Sequence, residues 1–204
     1  MALERVPEAR PELVPVLEQR WSPRAFDPEH VLAPADLRVL FEAARWSPSA
    51  GNSQPWSFLY GLRGDAAHAR IFAFLDDGNQ RWARRASAIV MTVRQLEAGP
   101  DHELFGADHS QFDLGQAAAH FSVQAHATGL HVHQFSGFDR PGLAAAFGVP
   151  AHWEVTSGIA VGRIAPPEIF DEQWEIDRER APRDRRPIGE FVFHGDWGAP
   201  ADLG

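Results

Sequence analysis

The chain has 204 residues, 28 acidic and 19 basic, for a formal net charge of −9 with histidines neutral. Every basic residue is arginine and no cysteine occurs, which excludes a lysine Schiff base, a P-loop lysine, thiol nucleophiles, disulfides and cysteine-ligated metals. The acidic balance argues against nucleic-acid and membrane partners, which need a basic face, and no apolar run reaches the roughly 20 residues that span a bilayer.

A hydrophobic fraction of 44% can support a packed core, and the length fits a single domain over residues 1–204. The N-terminal Met-Ala-Leu-Glu-Arg has no secretory h-region, so a cytoplasmic protein is expected. Leu13, Val16 and Leu17 lie at helical spacing and predict a short helix ending near Gln19, before the Ser22-Pro23 turn. Pro34 opens a clearer helix, with Leu37, Leu40, Phe41 and Ala44 on one apolar face. A loop of turn formers follows from Ser47 to Pro55, then a strand from Trp56 to Leu62. Helices are expected over 66–75 and 79–85, and a buried strand over 88–93. Residues 97–110 read as loop. Phe112 to Thr128 reads as a long alanine-rich helix closed by Gly129. A strand over 130–135, a short helix over 141–147 and an apolar strand over 155–164 complete the pattern. Residues 168–187 are charged, and Phe191-Val192-Phe193 reads as a last strand. Helices and strands alternate irregularly, which implies α+β or α/β.

Neither G-x-G-x-x-G, G-x-S-x-G nor H-E-x-x-H occurs, which removes the main support for a Rossmann site, a hydrolase elbow or a zincin. His131 and His133 share a strand face and, with His120 and His126, are the nearest approach to a metal cluster; no acidic residue at close spacing completes one. Two segments are more informative. In Arg20-Trp21-Ser22-Pro23-Arg24-Ala25-Phe26, two guanidinium forks flank a hydroxyl, a good receptor for a phosphate. Ser47-Pro48-Ser49-Ala50-Gly51-Asn52-Ser53-Gln54-Pro55-Trp56 is a polar loop between two firm elements, a usual place for function.

Together these segments resemble the nitroreductase family of FMN-dependent oxidoreductases, which pairs an Arg-x-Ser-x-Arg/Lys-x-Phe segment with a Ser-Pro-Ser-x-x-Asn-x-Gln-Pro-Trp loop. Asn79-Gln80-Arg81, Gln134 to Asp139, Gly158 to Gly162 and Arg183 to Pro187 match further family segments in the same order. The resemblance implies an α+β fold, a central mostly antiparallel sheet flanked by helices, in a homodimer that exchanges C-terminal segments and holds FMN at the subunit interface.

By the same resemblance Arg20 and Ser22 face the FMN phosphate and ribityl chain, and Arg24 and Asn79 the pyrimidine edge. Arg183 and Arg185 close over the phosphate. Pro48, Ser49, Ala50 and Asn52 belong to a loop meeting the flavin bound mainly by the other subunit. Ser136 and Gly137 form a turn whose backbone N–H faces flavin N5, and Trp21 and Phe135 complete the implied cofactor-binding set. No protein nucleophile or metal is implied, since the cofactor carries the chemistry. The implied activity is ping-pong hydride transfer from NAD(P)H to a nitroaromatic, quinone, enone or aldehyde. A flavin protein of this fold with a specialised oxidative, dehalogenating or storage role is the alternative, and a histidine metalloprotein a third class. Ala50 replaces a frequent hydroxyl residue, Ser136 a frequent glutamate, and Trp21 a usual arginine or histidine. Segments 97–110 and 168–180, lying between the shared segments, are expected to face substrate.

Overall fold

The computed structural model describes residues 13–99 and 107–201. Its elements in chain order are α1 (Pro15–Gln19), α2 (Pro34–Arg45), β1 (Trp56–Leu62), α3 (Ala66–Phe72), α4 (Asp77–Ala83), β2 (Ala88–Gln95), α5 (Ala107–Ala127), β3 (His131–Phe135), α6 (Arg140–Phe147), β4 (Trp153–Gly162) and α7 (Gln173–Arg180). Short 3-10 turns lie at Ala50–Asn52, Pro167–Ile169 and Ile188–Glu190. The four strands form one antiparallel sheet in the order β1-β2-β4-β3, with helices on both faces. This is the α+β arrangement that the resemblance implies.

Strand β2 is central and buried on both sides, so alternate residues enter different cores. Ala88 and Val90 pack with Leu37, Leu40 and Ala44 of α2 and Ala117, Phe121 and Ala125 of α5. Ile89, Met91 and Val93 pack on the other face with Ile71, Trp82, Leu143 and Phe170. A bulge opposite Thr92/Val93 leaves Thr156 outside the pairing: Thr92 faces Ser157 and Val93 faces Val155. The extra residue reverses the parity of β4. Ile159 and Val161 therefore join the α2/α5 core, whereas Val155 joins the opposite one. Gly158 stands opposite Phe135, and a Cβ there would lie 2.2 Å from the Phe135 ring. Only glycine lets that aromatic lie flat across β4.

Helix starts follow local chemistry. Asp65, Asp76 and Asp139 cap α3, α4 and α6 by accepting N–H bonds from His68, Asn79 and Gly142. Pro34 opens α2, where the Asp36 carboxylate accepts the Ala33 N–H at 2.8 Å. Three expectations need correction. Helix α5 begins at Ala107, so 107–110 of the expected loop is helical; buried Ser110 and Asp113 hid its inward face from a hydrophobic reading. Residues 100–106 lie outside the described residues. Residues 173–180 form α7 rather than a loop, because glutamates, not apolar residues, carry most of its buried side. Phe191-Val192-Phe193 is not a strand: Phe193 makes only an isolated bridge to Pro200, with no neighbouring strand to extend the pairing. No helix among the described residues is long and apolar enough to cross a membrane.

Candidate functional site

Helix α1 ends at Arg20, and its last carbonyls need partners. Arg183, far along the chain, supplies them: Nη1–H donates to Arg20 O at 2.7 Å and Nη2–H to Glu18 O at 2.6 Å. The strap brings Arg20, Arg183 and Arg185 into one neighbourhood. The Arg20 pKa is lowered by burial first, then by Arg185 and Arg183; that of Arg183 is lowered by burial and Arg185, with Glu18 opposing. Neither Arg20 nor Arg185 has an ion-pairing carboxylate among the described residues. Guanidinium groups that lower one another's pKa in this way are the kind of group that a multivalent anion can bridge, with Glu18 partly offsetting the charge of Arg183.

Beside them, the Ser22-Pro23 turn is tied to β3. His133 is buried, and its Nδ1–H donates to Ser22 O at 2.9 Å and Pro23 O at 3.0 Å. Since both partners are carbonyls, the proton sits on Nδ1. Burial, followed by the Arg24 charge, lowers the His133 pKa to about 4. The imidazole packs on Trp82, with ring centroids 4.6 Å apart, and the Arg24 guanidinium lies 5.8 Å from the Trp82 ring centre. Trp82 Nε1–H donates to Asn79 Oδ1 at 3.2 Å, which leaves the Asn79 amide N–H to donate to Gly137 O at 2.9 Å. One buried tryptophan thus links the arginine segment, β3 and the turn after it.

The Ser136-Gly137 turn is shaped from α4. Gly137 O also accepts the Asp76 N–H at 3.2 Å. A Cβ on Gly137 would lie 2.1 Å from Asp76 Oδ2 and 2.7 Å from Asn79 Nδ2. The carbonyl is thereby held inward, and the Gly137 N–H makes no hydrogen bond among the described residues. Ser136 beside it is exposed and Phe135 is buried on Gly158. Asn79, expected at the pyrimidine edge, thus spends its oxygen and one N–H on Trp82 and the turn.

The loop after α2 stands elsewhere. The Ala50 N–H donates to Oδ2 of buried Asp113 at 3.1 Å, and Ser47 Oγ shares a 2.8 Å hydrogen bond with His120 Nδ1. Ser49 Oγ accepts the Gln54 N–H at 3.0 Å. Asn52 and Gln54 take φ of 55° and 47°, the left-handed region that non-glycine residues rarely occupy. Strain of that kind is kept where surrounding bonds over-determine it, often at functional loops. Pro48 and Asn52 are exposed. This loop is pinned to α5 through Ser47 and Ala50. Trp21 lies edge-on to His131, at 6.5 Å between centroids, and His131 contacts His126. His120 and His133 thus serve contacts separate from the His126–His131 pair, and no group of three metal-ligating side chains stands together among the described residues.

Sequence reasoning missed Trp82, Asp76 and Glu179, and weighed His133 as a metal ligand rather than as the tie to the Ser22-Pro23 turn. Trp82 and His133 look like ordinary core residues, and Asp76 carries only a helix-cap signal. The carboxylate of Glu179 accepts the N–H groups of Arg24 and Ala25 from more than 150 positions away, and no local pattern announces such a contact.

The fold and this cluster define a class: an α+β protein with neighbouring Arg20, Arg183 and Arg185 and a glycine turn whose N–H makes no hydrogen bond among the described residues. The chain belongs to the nitroreductase family, whose sequence profile matches residues 17–75 and 62–163. It is 29% identical over 166 residues to a Streptomyces coelicolor protein provisionally named NADH dehydrogenase/NAD(P)H nitroreductase, covering 72% of this chain and 81% of that one. It is 36% identical over 83 residues to the major NAD(P)H-flavin oxidoreductase of Aliivibrio fischeri, covering 39% and 38% of the two chains. Among solved structures, an oxidoreductase described as containing FMN superposes with a TM-score of 0.87 at 29% identity, over 98% of this chain and 100% of that one.

Proposed function

We propose that this chain is a single-domain, FMN-dependent NAD(P)H oxidoreductase that acts as a homodimer on a small organic acceptor. The observation that carries the reading is the cluster of half-buried Arg20 and Arg183 with exposed Arg185, whose charges lower the Arg20 pKa, with no ion-pairing carboxylate at Arg20 or Arg185 among the described residues. When bound, FMN supplies two-electron transfer between NAD(P)H and an acceptor of the nitroaromatic, quinone, enone or aldehyde class, in ping-pong order.

The chain's own residues then bind and orient. Arg20 and Arg185, with Arg183 tying the C-terminal arm to α1, would hold the phosphate, and Ser22 would face the sugar chain. Arg24, kept beside Trp82, would favour negative charge at the pyrimidine edge. The Gly137 N–H, set by Asp76 and Asn79, would donate to N5. Pro48, Ser49, Ala50 and Asn52 would approach the site of the partner subunit, held in place by the bond from Ala50 to Asp113 of α5. The homodimer is further supported by large exposed apolar side chains: Trp46, Phe112 and Phe191, and Trp197 at 92% exposure. Residues 181–201 contain no buried side chain, as an arm that packs on another subunit would.

The test is an absorbance spectrum of purified protein before and after NADH or NADPH under argon. A visible flavin band that bleaches with a nicotinamide supports the reading. A chain that neither carries nor takes up FMN refutes it, and a bound flavin that stays oxidised with both nicotinamides assigns it to the non-reductase class.

A further inference from the structure

Helix α7 has few apolar residues with which to dock, yet it is firmly placed. On one side the Trp174 ring lies between two guanidinium groups, 5.7 Å from that of Arg81 on α4 and 4.8 Å from that of Arg178. Arg180 pairs with Glu168. On the other side Glu179, only 3% exposed, turns its carboxylate inward. Oε1 and Oε2 accept the Arg24 N–H at 3.0 and 3.2 Å, and Oε1 also accepts the Ala25 N–H at 3.2 Å.

A carboxylate gripping two successive backbone amides is a charge-assisted clamp. Buried, it draws stability from those donors, since a buried charge that loses hydrogen bonds is costly. The next residues, Ala25 and Phe26, are 1% and 0% exposed and cannot shift. The clamp therefore acts on the free side of a short segment and determines where the Arg24 backbone stands. Trp82 limits the guanidinium from the other direction. Glu179 also opposes the lowering of the Arg24 pKa by burial and Arg178, so guanidinium and carboxylate are electrostatically coupled.

We propose that Glu179 is a positioning residue of the cofactor site: by clamping the Arg24 and Ala25 amides it sets where Arg24 presents its charge, and makes α7 part of the site. This rests on the FMN reading above. The clamp and the charge of Glu179 act on a flavin with opposite sign. As a nearby negative charge, Glu179 disfavours the anionic reduced flavin, so its loss alone raises the midpoint potential. As the clamp, it keeps Arg24 at the ring, so its loss lowers the potential and weakens binding.

Glu179→Ala removes clamp and charge, whereas Glu179→Gln keeps one carbonyl acceptor. FMN affinity by flavin fluorescence, flavin midpoint potential and amide hydrogen exchange at Arg24 and Ala25 are measured for both. Glu179→Ala is expected to lose roughly tenfold or more in FMN affinity, the equivalent of one hydrogen bond to a charged group. It should also lower the potential and speed exchange at Arg24 and Ala25. Glu179→Gln should hold affinity within about threefold, since one acceptor remains. Wild-type affinity in the alanine variant, unchanged exchange at the two amides, or a potential raised as far as in Glu179→Gln, which loses the charge but keeps an acceptor, overturns the proposal. If the alanine variant does not fold, Glu179→Asp retains the charge and draws the oxygens back by one methylene. Weaker FMN binding with faster exchange then supports the clamp, and unchanged values overturn it. Failure of the wild type to bind FMN refutes the parent reading instead, while exchange at Arg24 and Ala25 in the flavin-free variants still judges the clamp.

Discussion

Replacing Gly137 by alanine is the sharpest perturbation available to the site, because one methyl group meets two side chains already committed elsewhere. The new Cβ falls 2.1 Å from Asp76 Oδ2 and 2.7 Å from Asn79 Nδ2. Asp76 cannot turn away without leaving the Asn79 N–H that it accepts at the start of α4, a cap worth about 1 kcal/mol. Asn79 cannot turn away without releasing Gly137 O and the Trp82 indole, each a net hydrogen bond of about 1 kcal/mol. Part of the strain relaxes by movement of the turn, so the sum to expect is about 2–4 kcal/mol of destabilisation. For a chain of this size each kcal/mol lowers Tm by about 2–4 °C. Denaturant unfolding with tryptophan fluorescence reads the stability, and FMN titration of the same sample reads the loss of the aimed N–H. A change below about 0.5 kcal/mol, the range of an inert surface substitution, together with wild-type FMN affinity would refute this account of the turn.

Arg24→Lys should keep FMN binding, since a point charge remains, whereas Arg24→Ala should weaken it clearly; equal and negligible effects in a fluorescence titration would remove Arg24 from the site. Arg183→Gln should weaken FMN binding and also loosen the arm, read as faster proteolytic cleavage beyond residue 181, because the donors to Glu18 O and Arg20 O lose their charge. His133 titrates near 4 in the folded chain against about 6.5 unfolded. The unfolded state therefore takes the proton first. Stability is full above pH 6.5 and falls as the pH drops toward 4, by about 3 kcal/mol in total from this group. His133→Gln should flatten that part of the profile in urea melts taken between pH 7 and 4. Size-exclusion chromatography with light scattering should give a dimer, and Phe112→Glu, a charge on an exposed apolar position of α5, should favour the monomer.

Where the fold was legible, a period in the sequence coincided with a buried face. Strand β1 lies where the Trp56 to Leu62 run places it, and α2 begins at Pro34 with Leu37, Leu40 and Ala44 inward. Where it was not, polar residues were doing the burying: Ser110 and Asp113 at the start of α5, Glu175 and Glu179 on α7. For the site, the family motifs identify segments but not their supports. Arg183 reaches Arg20 across 163 positions and His133 reaches Pro23 across 110. Such pairings are settled by the assembled sheet and its helices, so a local reading sees two arginines on a turn and a core histidine.

The bulge at Thr156 makes β4 two half-strands of opposite phase. Deleting that one residue would leave a regular strand in which Val155 still faces Val93 and Ser157 still faces Thr92, so Val155 and the Ile159 and Val161 pair would keep their separate cores. A relative one residue shorter between Val155 and Ser157 should therefore keep the same two cores, with a flatter, less twisted strand in place of the bulge. Homologues compared by hydrophobic alternation alone would fall out of step at the same place, and alignments across β4 should be anchored on Gly158 and Gly162 instead.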